Sequence, residues 1–199
     1  MFLAIDMVSK ELLGAIAIAL TLIAFLPYIR SIQQEVTRPH VFSWVIWGVT
    51  TLVVFVAQLA DKGGAGAWPM GISGIITLYV AFLAYIKKSD LLITRVDWLF
   101  FLLALASLPL WFFTRDPLWA VVILTIVNVL GFIPTFRKAI FYPFEEQLMF
   151  YGIMVVRNFI SILALENYSQ TTILFPAAIA VSCFIFILMV LYRRWIKAG

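Results

Sequence analysis

Charged residues punctuate this chain at nearly even intervals, and the stretches between them are each about as long as a bilayer is thick. Uncharged runs occupy 12–29, 39–60, 63–86, 98–114, 117–136 and 167–192, and a seventh, 147–165, is interrupted only by Arg157. Crossing about 30 Å of hydrocarbon takes roughly 20 apolar helical residues, with about 17–25 the usual range. Composition agrees. Hydrophobic residues make up 64% and charged residues 12%, where an ordinary globular domain has roughly 45–50% and 25%. With 14 basic and 10 acidic side chains among 199 residues, there is too little polar surface to wrap the apolar remainder in water. A lipid-facing barrel needs strands of about ten residues that alternate in polarity, and "LLGAIAIALTLIAFL" does not alternate. The expected fold class is all-α and transmembrane, with seven spanning helices.

Seven spans put the termini on opposite sides, and Lys and Arg gather in cytoplasmic loops. Arg30, Arg38, Lys87, Lys88, Arg95, Arg137, Lys138, Arg193, Arg194 and Lys197 fall on one side, against Lys10, Lys62 and Arg115 on the other. That bias predicts an N-terminus outside and a C-terminus in the cytoplasm; the membrane expected is a bacterial-type plasma (inner) membrane. The net charge of +4 does not point to nucleic acid, whose binders cluster their cations on a water-facing stripe. Nor does the first run suit a cleaved signal peptide. It is too long, ends in "LPYIR" without a small-residue cleavage site, and follows acidic Asp6 and Glu11. The expected partners are the lipid bilayer and a small-molecule substrate, with no nucleic acid, and a homo-oligomer is left open.

Sliding the chain along itself by 107 residues lays Phe25 on Phe132, Pro27 on Pro134 and Arg30 on Arg137. Without a gap, the same offset lays Pro69 on Pro176, Tyr85 on Tyr192 and Lys87 on Arg194. Apolar helices match cheaply, but two prolines and two basic positions at one constant offset are hard to obtain by chance. The chain therefore divides into a first bundle of three helices (11–88), a linker helix (97–114) and a second bundle of three (117–197). The linker run holds Ser107 and Pro109 but no charge. An offset of four spans is even, so both halves keep one orientation. They should be related by a pseudo-two-fold axis along the membrane normal, with any transported molecule between them.

This 3+1+3 plan, together with "LPYIR…TRPHVFSW" at the end of the first span, resembles the SWEET/PQ-loop transporter superfamily in its full-length, seven-helix form. The resemblance implies a carrier that moves a small polar solute, a sugar or another small metabolite, by alternating access through a central cavity. It also implies that Pro27, Pro69, Pro134 and Pro176 form a tetrad of hinges. The family's sugar transporters place an Asn on both the third and seventh helices, and this chain has none at those places. Two alternatives stay open: a vitamin-precursor or nucleoside facilitator resembling the nicotinamide-riboside transporters, and a non-transporting cargo receptor of the same fold.

The residues themselves suggest where a solute would sit. Pro27 and Pro134 lie inside helical patterns, where proline removes a donor and kinks the helix, whereas Pro69 and Pro176 lie near helix starts, where it fits. Trp44, Trp47, Thr51 and Gln58 share one face of the second span, and the offset carries Thr50 and Thr51 onto Arg157 and Asn158. Arg157 is the most informative residue, because an arginine at a helix centre costs about 2.5–3.5 kcal/mol on insertion scales. Water lies roughly 15 Å away along the helix, so the guanidinium should face a wet cavity or bond Asn128, Asn158 or helix-end carbonyls. A fixed guanidinium favours an anionic or acceptor-rich substrate. The expected binding set is Trp47, Ser73, Thr51, Asn128, Arg157 and Asn158, with Thr77 and Ser182 better read as helix-to-helix contacts.

Enzyme chemistry, a metal and a cofactor are not expected. The lone His40 sits at a cytoplasmic helix start, the single Cys183 has no His or second Cys in its span, and zinc needs three or four ligands. Glu145 and Glu146 suit a helix N-terminus. The glycine-rich "DKGGAGAWP" at 61–69 lacks the Lys and Ser/Thr of a phosphate loop and reads as a turn.

Overall fold

The computed structural model describes residues 2–35, 41–87, 95–132, 136, 139–141, 143–146 and 148–198. The regular elements among them are helical: α1 (Phe2–Gln33), α2 (Val41–Ala60), α3 (Trp68–Ile86), α4 (Arg95–Thr114), α5 (Pro117–Gly131), α6 (Leu148–Leu163) and α7 (Gln170–Ala198), with 3-10 turns at Gly64–Gly66 and Pro143–Glu145; residues 136 and 139–141, between α5 and α6, are helical as well, beyond the seven helices expected. The stretches Ser9–Gln33, Gly64–Ile86 and Gln170–Lys197 are long and apolar enough to cross a membrane. Shorter apolar helical stretches run over Trp44–Ala60, Leu105–Thr114, Pro117–Gly131 and Leu148–Leu163.

Local chemistry sets the helix ends. Asp116 accepts a hydrogen bond from Leu118 N at 2.9 Å while Pro117 takes the first position of α5, the arrangement in which a missing proline N–H is harmless. Pro69 occupies the first turn of α3. Pro176 does not do the same for α7, which begins earlier, at Gln170. A reciprocal capping pair moves that start: Ser169 N donates to Thr172 Oγ1 (3.0 Å) and Thr172 N donates to Ser169 Oγ (3.2 Å). Proline therefore lies inside α7 at Pro176, as it does inside α1 at Pro27.

The surface is strongly apolar, and polar side chains lie among the buried residues. The outward faces carry Leu22, Ile23 and Leu26 on α1, Ile75 and Phe82 on α3, Leu102 and Phe112 on α4, and Ile185 and Leu188 on α7. Buried positions include Thr21, Thr50, Gln58, Asn128, Arg157 and Asn158. Buried polar side chains need hydrogen-bond partners, and these find them inside the helix assembly. α3 packs against both α1 and α2, and α7 against both α6 and α5. α1 packs on α6, and α2 on α5. One buried cluster joins all six of these helices through Ala24, Val54, Met70, Leu124, Met154 and Phe175. α4 lies outside it, touching it through Trp111 and packing mainly on α5.

Candidate functional site

Arg157 is 1% exposed, and its guanidinium is bound from three helices. Nε donates to Thr21 Oγ1 of α1 at 3.0 Å, and Nη1 donates to Asn158 Oδ1 at 2.8 Å. Nη2 donates to the carbonyl of Pro69 in the first turn of α3, and Nη1 also meets Met70 Sδ at 3.7 Å. The acceptors are themselves held: Thr21 Oγ1 donates to Ala17 O at 2.8 Å, and Asn158 Nδ2 donates to Met154 O at 2.7 Å. All four partners are neutral. Lys87 and Glu35 form an ion pair on the exposed surface, far in sequence from Arg157.

The seam between α2 and α5 holds a second cross-helix bond. Asn128 Nδ2 donates to Thr50 Oγ1 at 2.7 Å, and Thr50 Oγ1 donates to Trp47 O at 3.0 Å. The two seams correspond residue for residue. An offset of 107 carries Thr21 onto Asn128 and Thr50 onto Arg157, so the Thr21–Arg157 contact between α1 and α6 falls on the Asn128–Thr50 contact between α5 and α2. Thr21 is the member that sequence reading passed over. A threonine within an apolar run draws no notice by itself, yet its alignment with Asn128 was available as a signal.

The other expected binding residues are distributed around these seams. Trp47 lies against α5, where a Cβ added to Gly131 would come within 2.6 Å of its indole nitrogen, so the ring fits only because that position is glycine. Trp44 is occupied on one face by Tyr28, stacked at 5.0 Å and 24°. Thr51 and Ser73 are buried at 8% and 6% exposure. Gln58, fully buried, donates through Nε2 to Thr172 O at 2.7 Å, and its Oε1 has no partner. Pro134 and His40 lie outside the described residues.

At one end of the seams the "DKGGAG" loop does more than turn. It interlocks with the segment between α6 and α7. Glu166 N donates to Gly63 O at 3.1 Å, and Asn167 Nδ2 donates to Asp61 O at 2.8 Å. Ser169 Oγ donates to the Asp61 carboxylate, and Lys10 Nζ donates to Leu165 O at 2.8 Å. Gly66 sits so close to this segment that a Cβ there would lie 2.5 Å from Ser161 O. These partners are nearly a hundred residues or more apart, and no short motif announces them. A groove of about 410 Å³ lined by Leu108, Trp111, Phe112 and Arg115 lies on α4 and includes none of the expected binding residues. No cluster of three or more His, Cys, Asp or Glu able to hold a metal occurs among the described residues. No known protein family, curated protein or solved structure matches the chain.

Proposed function

We propose that the chain is a SWEET-like carrier, an integral membrane protein of seven spanning helices with its N-terminus outside. In this reading α1–α3 and α5–α7 form two parallel triple-helix bundles joined by α4 and related by a pseudo-two-fold axis along the membrane normal. A small polar solute, a sugar or another small metabolite, passes by alternating access between the bundles. The observation that carries the reading is the matched pair of bonds, Thr21–Arg157 and Asn128–Thr50, which exchange when the halves are exchanged. Helix packing supports it, because the contacts of α1 with α6 and of α5 with α2 swap under the same operation. The interlocked loops then act as a closed outer gate whose bonds from Asp61 to Asn167 and Ser169 must part for the path to open outward.

Reconstitution into liposomes tests the proposal, with counterflow of labelled glucose, nicotinamide riboside and lactate measured against protein-free vesicles. Saturable flux of at least one solute is expected. An absence of flux for all three, alongside specific binding of a partner protein, would move the chain to the cargo receptors.

A further inference from the structure

The two seams provide an internal control for Arg157. At the α2–α5 seam, Asn128 and Thr50 make the cross-bundle bond with no charge at all. At the α1–α6 seam, the matching bond from Arg157 to Thr21 brings a full positive charge into an apolar interior. A clamp does not need that charge, since its counterpart works without one. Among the described residues the cation's partners are a hydroxyl, an amide oxygen, a carbonyl and a thioether, none of which neutralises it. One of them, the Pro69 carbonyl, belongs to the first turn of α3, where the helix dipole adds positive potential. A buried charge without a counter-charge is among the least favourable arrangements in a protein interior.

We propose that Arg157 is the recognition group for a small oxyanion, a carboxylate or a phosphate, bound at the α1–α6 seam. The inference rests on the carrier reading above and names its substrate class. In the closed arrangement Thr21, Met70, Asn158 and the Pro69 carbonyl hold the guanidinium. The oxyanion competes for its Nη donors, which are planar and suited to a bidentate oxygen pair. The thioether contact at 3.7 Å is the weakest hold and the first to yield.

The test uses the full chain in detergent, followed by its melting midpoint at constant ionic strength made up with sodium chloride. The probes are lactate and inorganic phosphate, with lactamide and glycerol as neutral counterparts. At least one oxyanion should stabilise the protein saturably, and the neutral probes should not. Arg157→Gln should weaken that binding roughly ten- to hundredfold, and Arg157→Lys should retain part of it because the charge remains without the planar fork. Should Arg157→Gln fail to fold, the comparison of lactate with lactamide in wild type and Arg157→Lys still decides. Equal stabilisation by the neutral probes, an equal response in Arg157→Gln, or none from either oxyanion would make Arg157 a clamp only. Flux separates the two claims. Oxyanion binding without flux overturns the carrier reading and leaves the site, whereas neutral-solute flux untouched by Arg157→Gln overturns the site and leaves the carrier.

Discussion

Thr21 and Asn128 occupy equivalent seam positions, yet their truncations should differ because their partners differ in charge. Thr21→Val removes an acceptor from a buried guanidinium, which should cost about 1.5–3 kcal/mol, the range for hydrogen bonds to charged groups. Asn128→Ala removes a neutral amide-to-hydroxyl bond, for which membrane-protein cycles average about 0.6 kcal/mol. Thermal unfolding of both variants in one detergent checks the order, and an equal cost would mean that the charge at Arg157 is already screened. Arg157 was legible because it is the only charge in its run. Its partners were less so. A threonine, a methionine sulfur and a proline carbonyl look the same in sequence whether they face lipid or a cation.

At the scale of elements, charge spacing located the helices but capping chemistry decided where they begin. The Ser169–Thr172 pair starts α7 ahead of Pro176, and that reciprocity is a local signature hidden beneath the apolar run. Loop contacts were less legible still, since those of "DKGGAG" reach a segment about a hundred residues away. Gly66→Ala should force a Cβ into the Ser161 carbonyl and destabilise by about 1–3 kcal/mol, as overpacking does, read as a lower melting midpoint. Pro27 raises a different question. It is exposed on a continuous α1, so Pro27→Ala restores a helical bond without disturbing the core. Thermal stability should hold or rise; if the chain is the carrier proposed above, flux should slow, and unchanged flux would leave Pro27 a passive kink.

For the whole molecule, the all-helical class was legible further than the site, because long apolar runs are spread over many residues, whereas a site depends on a few side-chain directions. If the interlocked loops gate exchange, fixing them should stop it. The native chain has a single cysteine, Cys183, which is 2% exposed, so introduced thiols can be oxidised without competition. Asp61→Cys with Ser169→Cys replaces two side chains already in contact. Oxidation should abolish flux, and a reductant should restore it; persistent flux in the cross-linked protein would remove the gate. The mismatch between the seams also bears on self-association. Two copies of the first half would set Thr21 against Thr50 on both sides of the dyad, an uncharged and tolerable pairing. Two copies of the second half would set Asn128 against Arg157 twice and confine two guanidiniums around one axis, where like charges repel in a low-dielectric medium. If the dyad proposed above relates the halves, the first half alone keeps an uncharged pairing with a copy of itself, while the second needs a dissimilar mate that supplies a hydroxyl instead of another cation.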